Sequence, residues 1–190
     1  MKNIKFLLIA ICNILLFQNV MAQTYYYSFP NVTVVNAVPR VTFINATGTL
    51  STYICHEKVK GLMILYNQSN TLTFVDQNKT DGSSMNIHGD YYYDIPATML
   101  NKIEQVIDSY LIAAEKTRVK GDKLLVSLYL DSNTGAVKEV EYEFLTNGAF
   151  ATIPPATYYK IEATLKRDFR VTMLPEGRKL NYNIYFETYP

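Results

Sequence analysis

Asp90 and Asp94 bracket three consecutive tyrosines, Tyr91, Tyr92 and Tyr93, and here residue type and spacing come nearest to a working site. Glycoside hydrolases set two carboxyl groups across a scissile bond, one giving a proton while the other attacks or activates water. Aromatic rings beside them would stack on sugar faces. The spacing also suits a simpler task, because Asp94 stands two residues before Pro96 and can cap a helix there. These five residues are read as ligand contacts, with no catalytic residue, cofactor site or metal site assigned.

The other reactive side chains fit known chemistry less well. Cys55 and His56 are adjacent, yet a nucleophile and its base must meet, and neighbours on an extended strand point to opposite faces. A buried thiol behaving as a small apolar group is the expectation. His56 and His88 are the two histidines, and neither has a second ligand at helical or hairpin spacing, so a zinc scaffold is not formed. Asp76, Asn78, Thr80 and Asp81 have the oxygen-rich spacing of a calcium loop, but Gly82 falls one place late and an acidic closing residue is missing. Glu139, Glu141 and Glu143 alternate along a predicted strand and are expected to form a solvated acidic row. Sequons at Asn31, Asn45, Asn67 and Asn78 are read as coincidence in an Asn- and Thr-rich chain.

Residues 1–22 have the layout of a cleavable secretory signal: Lys2 and Lys5, an apolar run from Phe6 to Phe17, then Ala22 before Gln23. Asn13, Gln18 and Asn19 leave the run too short and broken for a membrane span. The expectation is an exported protein, periplasmic or outside the cell, that meets the membrane only through this signal. Without Lys2 and Lys5, 16 basic side chains face 17 acidic ones, a net charge near −1. No basic stripe is present for nucleic acid or anionic lipid. Cys55 is the only cysteine beyond the leader, so stability must come from a hydrophobic core.

The elements that would position these residues follow from periodicity. Val32 to Leu50, interrupted by Pro39, reads as one or two short strands. Leu62–Tyr66 and Leu72–Asp76 flank the polar Asn67-Gln68-Ser69-Asn70 and read as a hairpin. Met99, Leu100, Ile103, Val106, Ile107, Tyr110, Leu111 and Ala114 line one face of a helix over about residues 96–118. Lys123–Leu130 and Val137–Phe144 form a second hairpin around the turn at Asp131 to Gly135. A second helix runs from about Pro154 to Asp168, with Tyr158, Ile161, Leu165 and Phe169 in its stripe. A last strand carries Leu180, Tyr182, Ile184 and Phe186. The two helical segments echo each other, each with Ile-Pro at its start and Lys-Ile-Glu further on, giving repeat units of about 95–131 and 153–188. The fold class is therefore α+β within one domain, residues 23–190. It is an antiparallel sheet with two helices on one face, in the order hairpin, helix, hairpin, helix, strand, after one or two extra strands.

From Gly121 to Glu187 the chain resembles the C-terminal domain of TonB. The resemblance rests on the LYLD strand end, Gly135, Val140, the helix with Tyr158, Ile161 and Leu165, Phe169-Arg170, Leu174-Pro175, and the strand holding Leu180, Tyr182, Ile184 and Phe186. It implies a sheet whose edge pairs with an extended partner. The retained anchor and Pro-rich spacer of that family are missing, which argues against an energy transducer. With Gln23 after the signal cut and its Tyr- and Asn-rich hairpins, the whole chain also resembles small uncharacterised secreted proteins of Bacteroidales. The expected function is non-enzymatic binding of an envelope or surface protein through an open sheet face or an edge strand, with Tyr185–Tyr189 or the Pro39 segment as that edge. A glycan-binding module built on Tyr91–Tyr93 is the alternative, and a hydrolase using Asp90 and Asp94 or Cys55 the third reading.

Overall fold

The computed structural model describes residues 24–27, 31–35, 38–83, 85 and 91–190. The expected leader, His88 and Asp90 lie outside these residues. Among the described residues, seven strands form one antiparallel sheet. They are β1 (Thr33–Val35), β2 (Val38–Ile44), β3 (Leu50–Val59), β4 (Leu62–Asn67), β6 (Leu124–Leu130), β7 (Val137–Leu145) and β9 (Asn183–Tyr189), in the spatial order β1-β2-β3-β4-β7-β6-β9. A two-stranded pair, β5 (Tyr93–Asp94) and β8 (Thr172–Met173), stands beside it. No helix of the described residues is long and apolar enough to cross a membrane.

One face of the sheet carries the helices. Val41, Tyr53, Cys55, Leu65, Val126, Leu128, Tyr142 and Phe144 alternate onto it and are buried in a core with Ile103 and Ile161. The duplicated stripes therefore converge on one core, as expected for the α+β arrangement. The first helix is broken in two, α1 (Lys102–Tyr110) and α2 (Ala113–Val119), and starts later than Pro96. Leu111 is extended, and the Glu115 carboxylate accepts the Ile112 amide at 3.0 Å, so a fresh N-terminus forms there. Ala114 is consequently exposed while Glu115 is buried. The second helix, α3 (Pro155–Asp168), begins with proline in its first turn, where a missing amide hydrogen is harmless.

The first hairpin differs from expectation. Leu62–Asn67 pairs with β3, from Tyr53↔Asn67 to Val59↔Leu62, through a two-residue turn in which Gly61 has φ 89°. Residues 72–76 are not a strand. At the end of β4 the Asn67 side chain accepts the Ser69 amide (3.0 Å) and hydroxyl (2.9 Å), turning the chain off the sheet. Residues 68–83 then cross the second face as a strap. The Asn70 amide donates to the Val140 carbonyl (3.0 Å), Gln77 to the Tyr182 carbonyl (2.9 Å) and the Thr80 backbone N–H to the Lys179 carbonyl (2.7 Å). Ile54, Ile64, Tyr129, Leu180 and Tyr182 are buried without belonging to the main core. The second face is thus half covered.

Candidate functional site

Strand register builds that second face row by row. Arg40, Ile54, Tyr66, Glu141, Ser127 and Phe186 pair in succession across β2, β3, β4, β7, β6 and β9. The next row is His56, Ile64, Glu143, Leu125 and Thr188. Phe74, from the strap, lays its ring 5.3 Å from His56 and 5.8 Å from Tyr66 by centroid, yet stays 68% exposed. Its φ of 70° is the left-handed region, which costs a bulky side chain roughly 1–3 kcal/mol and is held where the surroundings fix it. Phe186, on the far side of the row, is also 68% exposed. Leu62, Leu125 and Leu145 continue the surface into a groove of about 510 Å³ bordered by Lys123 and Thr188.

The acidic row is not solvated as expected. Glu139 and Glu141 are both buried, and the strap lies over Glu139. Glu139 accepts the Thr71 amide (2.6 Å), the Thr71 hydroxyl (3.0 Å) and the Leu72 amide (2.8 Å). Glu143 accepts the Lys58 ammonium at 2.9 Å. Among the described residues, Glu141 accepts only the Tyr129 hydroxyl, at 3.3 Å. Burial pushes the Glu141 pKa up, and the neighbouring Glu143 charge adds to it. Burial likewise pushes the His56 imidazole down.

The tyrosine triplet is divided. Tyr91 is 82% exposed, whereas Tyr93 is half-buried, its hydroxyl donating to the Ile184 carbonyl at 2.7 Å and its ring edge-on to Tyr185. The Tyr92 carbonyl accepts the Leu174 amide at 3.1 Å. Asp94 is exposed on β5 beside Thr172 and caps no helix: the short 3-10 turn Ala97–Met99 has Pro96 as its N-cap, and α1 begins eight residues after Asp94. The Tyr93 ring is thus turned onto Tyr185 while the Tyr91 ring is bare. Cys55 faces the main core, its thiol pushed up to about 12 by burial, and His56 faces the other way. Asn45 is buried, donating to Thr49 (2.6 Å) and Ser51 (2.8 Å), so its sequon serves a turn. Among the described residues, no group of three or more His, Cys, Asp or Glu side chains could hold a metal ion.

The edges of the sheet are β1, three residues long, and β9. Pro39 lies on β2, one strand inside its expected edge position. Strand β9 pairs with β6 over seven residues without a bulge. Among the described residues, Tyr185–Tyr189 makes no backbone hydrogen bond beyond that pairing.

An antiparallel α+β sheet roofed on one side and strapped on the other defines the class of protein. Residues 23–187 match the family described as a domain of unknown function (DUF5043), and the chain belongs to that family. A crystal structure of a DUF5043 family protein from Bacteroides uniformis is similar, with a TM-score of 0.72, 24% identity and 88% of each chain covered. That likeness concerns the fold. No protein of curated function matches the chain.

Proposed function

We propose that this protein is an exported, non-enzymatic module that binds a partner protein of the bacterial envelope or surface against its half-covered sheet face. The observation that carries the reading is the pair Phe74 and Phe186, both 68% exposed across a floor of His56, Tyr66 and Ser127. Large apolar side chains left bare beside polar ones mark protein contacts. The unprotected β9 edge adds a flank where an extended segment can pair, the mode that the likeness of residues 121–187 to the TonB C-terminal domain suggests. The leader-like residues 1–22 and the Bacteroides neighbour support an envelope setting.

A photo-crosslinking amino acid at position 186 in Bacteroides cells tests this. One discrete protein adduct is expected there, and none from position 160, which is exposed on α3 in the helical layer. No adduct at 186 removes the reading. The glycan alternative retains the bare ring of Tyr91 beside exposed Asp94. Flat binding curves for the protein across a polysaccharide panel dismiss it.

A further inference from the structure

Among the described residues Glu141 forms no ion pair of its own, the nearby Lys58 being bound to Glu143. Of the three carboxylates on this face of β7, Glu139 is satisfied by the strap and Glu143 by Lys58. Glu141 is 6% exposed and has one long hydrogen bond, from the Tyr129 hydroxyl to Oε2. Among the described residues its Oε1 accepts no hydrogen bond, and it is not one of the polar atoms sealed from solvent. A carboxylate taken out of water is costly unless a positive charge or strong donors replace its hydration. Lys58 is taken by Glu143, and Arg40, the guanidinium in the same row as Glu141, stands three strands away on β2. Tyr66 stands directly across from Glu141 on β4, and Ser127 on β6, both half-buried.

We infer that Glu141 receives the guanidinium of an arginine presented by the partner protein. A planar guanidinium can donate to Oε1 while its face rests on the Tyr66 ring, which an ammonium does less well. The inference rests on the face-binding reading and narrows it. A strand paired to β9 would lie three strand spacings from β7, about 14 Å, roughly twice the reach of an arginine side chain. The partner must therefore cross the face between Phe74 and Phe186 and not merely extend the sheet.

The test is an NMR titration of the protein with Nα-acetyl-arginine amide, the matching neutral citrulline compound and the lysine compound. Arginine is expected to give saturable amide shifts at Tyr66, Ser127 and Glu141, with citrulline at least 10-fold weaker and lysine weaker than arginine. Glu141→Gln, nearly isosteric and checked for folding by its own spectrum, should lower arginine affinity at least 10-fold. Equal binding of citrulline, or no shift at these residues, overturns the inference; equal binding of lysine overturns its guanidinium form. Crosslinking at position 186 that persists undiminished in Glu141→Gln leaves the face-binding reading standing and removes the arginine from it.

Discussion

At neutral pH, Glu141 is a side chain whose neutralisation should raise stability. Its folded-state pKa is raised by burial and by Glu143, so its proton is held more tightly in the native state than in the unfolded chain. The stabilisation from this proton is full below the unfolded value of about 4.3 and is lost as pH rises through the folded value. Glu141→Gln should therefore be more stable than the parent at pH 7, by about 1 kcal/mol, with the gain vanishing below pH 4. Urea unfolding at both pH values checks this, and a gain of equal size at low pH would contradict it. A group retained at such a cost is what a binding site looks like. Gly135 shows the opposite case, a residue fixed by geometry. Its φ is 70°, and a Cβ there would run into the Val171 carbonyl, so Gly135→Ala should lose about 2 kcal/mol or more. The turn at Gly135 was legible in the sequence because Asp131 and Gly135 bracket it locally. The burial of Glu139 and Glu141 was not, since alternating glutamates look solvated, and the strap that holds Glu139 is distant in sequence.

At the scale of elements, local patterns marked the strands and helices, while partner choice depended on distant segments. Leu72 to Asp76 has strand-like composition, but β3 offers β4 a longer pairing surface through the tight turn at Gly61, and β7 takes the other side of β4. The displaced run becomes the strap, and its attachment can be tested. Glu139 accepts two backbone amides and a hydroxyl from Thr71 and Leu72. Glu139→Ala leaves those amides without their acceptor under the strap and should cost about 2 kcal/mol. Hydrogen exchange at Thr71 and Leu72 should quicken more than at β6, where exchange follows global unfolding. Uniform acceleration along the chain would show instead that the strap is not a separable element. The break between α1 and α2 was hidden for a similar reason. Ile112 continues the apolar run in sequence, but its 65% exposure shows that the helix restarts to turn Val119 inward.

At the scale of the molecule, the two echoed segments act as one roof. Ile103 on α1 and Ile161 on α3 hold the same place in the Lys-Ile-Glu echo and are 0% and 1% exposed within one core. Tyr142 and Tyr158 join that core to the sheet, their ring centroids 4.7 Å apart, and the Tyr142 hydroxyl donates to the Tyr158 carbonyl at 3.0 Å. Truncating either isoleucine removes buried methyl groups and leaves a cavity, so Ile103→Ala and Ile161→Ala should each cost about 2–5 kcal/mol. Because a single sheet lies beneath both helices, each variant should shift the far-UV helical signal and the tyrosine fluorescence by the same midpoint in urea. If Ile103→Ala moved one signal and left the other in place, the helices would be roofing separate units. The half-covered face would then lose the rigid backing that fixes Tyr66, Glu141 and Ser127 in one row.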